Sequence, residues 1–184
     1  MVRNPPRARG AELTAAPLPA PLIVTAELPQ ALQSRADQLR RAHYPPERNR
    51  TAAHVTLFHA LPPSCEDELR RALADEARAA PIPARLAGIM NLGGGTALRI
   101  ESAAMLALWD RLAERFFGLL TPQDEHPPRL HVTIQNKVSP RDAKALQQAL
   151  AATFEPRDFA FSGLALHRYR GGPWEPVKRW AFRG

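Results

Sequence analysis

The sequence predicts an α+β fold built from two similar lobes, and three observations predict it. Segments with strand and helix character alternate in one order twice: strand, helix, strand, helix, strand. The second strand of each set opens with the same tripeptide, His54-Val55-Thr56 and His131-Val132-Thr133, followed by Leu57 and Ile134. The spacing also matches, because the motif starts 32 residues after Leu22 and 34 residues after Ala97. Shared order, spacing and tripeptide together indicate an internal duplication rather than a generic alternation of elements.

Each element has a local reason. Leu22 to Leu28 is rich in β-branched and aliphatic residues and reads as a strand. From Gln30 to Ala42, Leu32, Ala36 and Leu39 recur at helical spacing, and Tyr44-Pro45-Pro46 stops that helix. His54 to His59 is a second strand, ended by Pro62-Pro63. Ser64 can cap a helix running to Ala80 with Leu69, Leu73 and Ala77 as its buried stripe. Ala84 to Leu92 is a third strand, and Gly93-Gly94-Gly95 reads as a turn between the halves.

The second half repeats the order. Thr96 to Glu101 is a strand. The helix after it places Met105, Leu108, Trp109, Leu112, Phe116, Leu119 and Leu120 on one face. After a loop over 121–129, His131 to Lys137 is a strand. Ser139 and Pro140 suit the N-cap and first position of a helix that buries Ala143, Leu146, Leu150 and Phe154. Phe159 to Tyr169 and Val177 to Phe182 read as two strands joined around Gly171-Gly172-Pro173. Residues 1–20, rich in Pro, Ala and Arg, read as a flexible tail. Residues 21–184 form a single bilobal domain, with lobes of roughly 21–92 and 96–184.

Composition bounds the function. Hydrophobic residues are 45% and charged residues 23% of the 184, the balance of a globular domain. No window is apolar enough to cross a bilayer, and prolines and arginines interrupt the N-terminus where a signal peptide would need a continuous apolar run. One cysteine, Cys65, excludes an internal disulfide framework and a cysteine-rich zinc site. A cytoplasmic, monomeric protein without membrane association is the expectation. The net charge of +7 is concentrated at the two ends, in Arg3, Arg7 and Arg9 and in Arg168, Arg170, Lys178, Arg179 and Arg183. A basic segment suits a polyanion such as RNA, although charge alone favours the plainer reading of a solubilising surface.

The chemistry rests on the repeated tripeptide. A spacing of two along a strand puts His54 with Thr56, and His131 with Thr133, on one face. Val55, Leu57, Val132 and Ile134 then face a core. If the lobes pair about an approximate two-fold, the polar faces meet across a cleft holding two imidazoles and two hydroxyls. That set suits a phosphate ester. A neutral imidazole takes a proton from attacking water while a protonated one supplies the leaving oxygen, with either histidine in either role. The threonine hydroxyls donate to the non-bridging oxygens. No metal ion or cofactor is required.

The two His-Val-Thr-aliphatic motifs in equivalent strands of a duplicated chain resemble the 2H phosphoesterase superfamily, which includes 2′-5′ RNA ligase-like and RNA 2′,3′-cyclic phosphodiesterase proteins. The resemblance covers about residues 20–184. It implies two antiparallel-rich sheets facing a central cleft with helices outside. It also implies metal-independent opening of cyclic phosphodiesters, with His54, Thr56, His131 and Thr133 as the site. RNA 2′,3′-cyclic phosphate ends or small cyclic nucleotides would be the substrates, opened to a 2′-phosphate in the better-known members. Two alternatives are a module that binds an RNA end or nucleotide without turnover, and 2′-5′ RNA ligation by the reverse reaction. A pure binding site would be served as well by Arg or Lys as by paired histidines, which favours turnover.

Further substrate contacts are expected from strand alternation. Phe58 follows His54 and Thr56 on their face and can stack a base. Gln135 and Lys137 share the face of His131, while Tyr169 and Arg170 border the last hairpin. His59, Asp124 and His126 lack metal-ligand spacing. Gly93-Gly94-Gly95-Thr96 lacks the lysine of a phosphate-binding loop. Cys65, at a helix start, has no adjacent base to activate it.

Overall fold

A computed structural model describes residues 20–184, so the tail expected over 1–20 lies outside the described residues except for Ala20. The chain runs β1 (Leu22–Glu27), α1 (Gln30–His43), β2 (Val55–Leu61), α2 (Glu66–Glu76), β3 (Ile82–Asn91) and β4 (Gly95–Glu101). It continues through α3 (Ala103–Arg115), β5 (His131–Asn136), α4 (Pro140–Ala152), β6 (Arg157–Phe161), β7 (Gly163–Arg168) and β8 (Glu175–Ala181). The strands form two antiparallel four-stranded sheets, ordered β2-β1-β7-β8 and β5-β4-β3-β6. No helix among the described residues is long and apolar enough to cross a membrane.

The sheets do not follow the two halves of the sequence. β3, from the first half, lies between β4 and β6 in the second sheet, while β7 and β8 return to β1 in the first. The glycine turn at 93–95 is therefore a hairpin inside one sheet, closed by the Leu92 amide donating to the Gly95 carbonyl, with Gly93 at φ +81. The single strand predicted over 159–169 is two strands in different sheets. Ser162 makes the transfer, its amide and hydroxyl both donating to the Glu27 carbonyl. Gly163 then permits a close approach to β8, because a Cβ there would collide with the Trp180 carbonyl oxygen. These pairings are non-local, and nothing in the local pattern announces them.

One apolar cluster unites both sheets, drawing Leu22 and Val24 from β1, Leu69 and Leu73 from α2, and Leu108 and Leu112 from α3. Ser139 caps α4 as expected, accepting from the Asp142 amide. Ser64 does not cap α2. A short 3₁₀ turn over Pro63–Cys65 precedes that helix, which starts at Glu66 with no side-chain cap. Its first turn holds Glu66, Asp67 and Glu68, whose charges offset the helix dipole instead. α3 ends at Arg115, earlier than expected. Gly118 turns left-handed at φ +86, leaving Leu119 43% exposed rather than on the buried stripe.

Candidate active site

The two tripeptides lie on the outermost strands of the two sheets, and these edge strands, β2 and β5, touch one another. His131 opens β5, whereas His54 sits one residue ahead of β2. The predicted alternation holds through the motif. Val55, Leu57, Val132 and Ile134 are buried, while His54, Thr56, His131 and Thr133 keep partial exposure.

Both imidazoles are oriented in the same way. His54 Nδ1 lies 2.8 Å from the Ala52 carbonyl oxygen, and His131 Nδ1 lies 2.5 Å from that of Arg129. A carbonyl only accepts, so each Nδ1 carries its hydrogen. In the neutral ring Nε2 is then the nitrogen with the free lone pair. The duplication thus repeats the bond that fixes the tautomer as well as the residue types.

Beyond the motif the alternation breaks, at the same place in both lobes. Thr25 pairs with Thr56 and Val24 with Phe58, so Leu57 is an extra residue. Likewise Ala97 pairs with Thr133 and Thr96 with Gln135, making Ile134 the extra one. A β-bulge at each aliphatic position reverses the facing of the residues after it. Phe58 therefore enters the core at 0% exposure and stacks on Trp109 with ring centroids 5.8 Å apart, away from any base. Gln135 is buried where the Thr96 hydroxyl lies within 3.4 Å of its Oε1 and 3.3 Å of the Ala143 carbonyl of α4. Neither shares the histidine face as the sequence suggested.

The other expected contacts are also displaced. Lys137 is exposed and left-handed at φ 59, which ends the strand alternation that would align it with His131. Tyr169 is exposed, and Arg170 is paired with Glu175 at 2.5 Å. The residue of that hairpin that reaches the site is Trp174, whose ring centroid lies 4.3 Å from that of His54.

Arg40 is the principal residue that sequence reasoning missed. It is 3% exposed on α1 and bridges the two lobes. One terminal nitrogen donates to the Thr133 carbonyl at 2.7 Å, and the other to Asn49 Oδ1 at 2.9 Å and the Thr51 carbonyl at 3.0 Å. Its guanidinium carbon stands 4.4 Å from the Tyr44 ring centroid. A signal was present, since Leu32, Ala36 and Arg40 are spaced by four and place an arginine on the apolar stripe. Asp37 and Gln33 continue the support. Asp37 Oδ1 accepts the Ala53 amide at 2.6 Å, and Gln33 Nε2 donates to the Ala53 carbonyl at 2.9 Å, fixing the chain just before His54.

Electrostatics differ around the two histidines. Burial pushes the His54 imidazole down to about 4, and the charges of Arg40, His167 and His131 act in the same direction, against the Ala52 carbonyl. His167, a third histidine of the site, has Nε2 3.1 Å from the Thr25 hydroxyl and its ring 5.5 Å from Trp174. It is also lowered, first by burial and then by Arg179. A cavity of about 470 Å³ opens beside His54, bounded by Thr25, Glu27, Asp37, His167, Trp174 and Arg179.

The remaining polar residues have structural roles. Asp124 is buried and accepts the His59 side chain at 2.9 Å and the amides of His59 and Ala60, tying the loop after α3 to β2. Burial opposes the ionisation of Asp124, yet the bonds from His59 hold its carboxyl below the usual range. Cys65 is buried with its thiol donating to the Pro62 carbonyl, and burial pushes that thiol up, away from reactivity.

The comparisons with known proteins agree with this geometry. The family model of the 2′-5′ RNA ligase superfamily matches residues 28–173. Among solved structures, TT0787 of Thermus thermophilus superposes with a TM-score of 0.63 at 19% identity, over 89% of this chain and 98% of that one. E. coli LigT complexed with 3′-AMP gives 0.59 at 22% identity, over 90% and 99%. A structure described as a phosphoesterase gives 0.58 at 22% identity, over 90% and 99%. The curated proteins contain no significant match. With a family match spanning most of its length, and twin His-Val-Thr motifs on touching edges of two sheets, the chain belongs to the 2′-5′ RNA ligase superfamily of 2H phosphoesterases.

Proposed function

We propose that the protein is a hydrolase of cyclic phosphodiesters, acting on RNA 2′,3′-cyclic phosphate ends or related small cyclic nucleotides. The observation that carries the reading is the doubled histidine arrangement. Two imidazoles on touching strands each have Nδ1 committed to a backbone carbonyl, which leaves each Nε2 for proton transfer. LigT, of the same fold, has been crystallised with 3′-AMP, which agrees with a nucleotide ligand.

His54, held neutral by its surroundings, is assigned as the base and His131 as the acid. Water attacks phosphorus and passes its proton to His54 Nε2. The bond from phosphorus to one ring oxygen breaks, and that oxygen takes the proton from His131 Nε2. The product is a phosphomonoester. Thr56 and Thr133 donate their hydroxyls to the non-bridging oxygens as charge develops there. Arg40 does not touch the reacting atoms in this scheme. It positions both motifs by holding Thr133 and Thr51.

The test is incubation of the purified protein, in EDTA, with 2′,3′-cyclic-ended oligonucleotides, cyclic mononucleotides and 2′-5′-linked dimers. Opening of the cyclic ends in chelator is the expected result. Binding of cyclic ends without product, or product from 2′-5′ dimers alone, overturns the hydrolytic reading.

A further inference from the structure

The duplication extends to the cavities. The one beside His54 lies between the end of β1 (Thr25–Glu27), α1 and the loop at 50–53 that leads into the histidine. A second, of about 430 Å³, lies between the end of β4 (Arg99–Glu101), the start of α3 and the loop at Pro128–Leu130 that leads into His131. The two occupy equivalent places in the two lobes, each behind the segment that supplies the carbonyl for a histidine Nδ1. The second reaches the other motif through Leu130, which precedes His131 in the chain, and through Arg99, the cross-strand partner of His131.

Their walls differ in chemistry. The first is bounded by Trp174 and by polar edges at Glu27, Gln33 and Asp37. The second has an apolar floor of Met90, Ile100, Leu106 and Leu130, with Arg99 and Arg129 at its rim. Arg99 is paired with Glu101, while the exposed Arg129 has no ion pair among the described residues and its charge is open to a ligand phosphate.

We infer that the second cavity is a subsite for the penultimate nucleotide of an RNA end, so that the protein recognises two nucleotides rather than one. The inference rests on the proposed hydrolysis of cyclic ends. Both volumes fall in the range that holds a nucleoside-sized group. In a cyclic-ended RNA the terminal nucleoside carries the reacting phosphorus through two of its own oxygens, and its 5′ oxygen leads to the preceding phosphate. The terminal base lies against Trp174 in the first cavity. The preceding phosphate meets Arg129, and its nucleoside rests on the apolar floor of the second. A charged rim over an apolar floor suits a phosphate joined to a sugar and base better than it suits a free anion.

The experiment compares a 2′,3′-cyclic mononucleotide with the matching cyclic-ended dinucleotide. For the wild-type protein, kcat/KM is expected to favour the dinucleotide by about tenfold or more. Ala103→Trp, at an exposed position on the cavity wall, is expected to reduce that advantage to less than twofold, and Arg129→Gln to reduce it severalfold. Calorimetric binding of the inert 3′-phosphorylated mononucleotide and dinucleotide reads the same preference without turnover. Equal affinity and equal kcat/KM for the two lengths overturn the subsite, as does an Ala103→Trp protein that keeps the full advantage. A retained dinucleotide preference in binding with no hydrolysis of either substrate overturns only the hydrolytic reading. Unfolding curves of both variants verify that they fold.

Discussion

Both histidines donate Nδ1 to the carbonyl two residues back, but their surroundings diverge. His54 lies under Trp174, beside His167, at the mouth of a cavity whose walls hold its imidazole neutral near pH 7. Among the described residues no aromatic ring pairs with His131. The helices diverge as well. α3 buries Met105, Leu108, Trp109 and Leu112, all of them packing residues, whereas α1 buries Leu32, Ala36 and Arg40. The guanidinium from the first lobe grips the motif of the second, and α3 has no buried counterpart that reaches back. Duplication therefore supplied a symmetric frame, and the asymmetry added to it gives the two imidazoles different surroundings, on which the proposed division into base and acid rests.

The largest test of that division removes the rings. His54→Ala and His131→Ala are each expected to lower kcat by roughly 10²–10⁴-fold, the usual contribution of one acid or base. In His54→Ala the acid limb of the pH–rate profile should disappear as well, because the lowered imidazole is the group assigned to it. Full turnover by either variant would falsify the two-histidine mechanism.

Arg40→Met tests the bridge. It leaves the Thr133 and Thr51 carbonyls and Asn49 Oδ1 without their donor in a buried place. A loss of about 2–4 kcal/mol in unfolding free energy is expected, or roughly 5–15 °C in Tm for a chain of this length. Under conditions where the variant remains folded, kcat should fall further than KM rises, since both motifs lose their mutual position. Arg40→Lys, restoring one donor, should recover part of each effect. A variant with unchanged stability and rate would show that the lobes are held by apolar contacts alone.

Trp174→Ala addresses the lowered imidazole. Removing the ring admits water to His54, so the acid limb of kcat/KM should move upward from near pH 4 toward the ordinary histidine range. Stability carries the same sign. The unfolded chain takes up a proton near pH 6.5, before the folded one does at about 4, so this contribution is lost as pH falls across that window. The variant should lose less stability than the wild type between pH 6.5 and 4, measured by urea unfolding. Identical pH profiles would place the cause of the lowered value elsewhere, in Arg40 and the neighbouring histidines.

The features legible in the sequence are those written locally. Period-two alternation located His54, Thr56, His131 and Thr133 opposite Val55, Leu57, Val132 and Ile134, and helical spacing located the buried stripes of α1 and α4. The exchange of strands between sheets was hidden because it depends on which distant strand Ser162 and Gly163 meet. Arg40 was hidden by its type, since an arginine on a helix normally reads as solvated. Trp174 was hidden because its position depends on the path of a hairpin loop rather than on any periodicity.

The bulges set the smallest test and the most specific one. A single extra residue has no marker in composition, yet it inverts the facing of the residue that follows it, and it does so after Thr56 and after Thr133 alike. The two lobes fill the resulting inward position differently, one with Phe58 against Trp109 and the other with Gln135 beside Thr96. If Gln135 faced the substrate, Gln135→Leu would raise KM. Turned inward instead, the side chain has the Thr96 hydroxyl as its one side-chain hydrogen-bond partner among the described residues, and its replacement should alter stability by about 1 kcal/mol. Its kcat and KM should stay within twofold of the wild type. A tenfold rise in KM for cyclic-ended RNA would mean that the strand runs unbulged past Thr133, and the equivalence drawn between the two lobes would end at the motif itself.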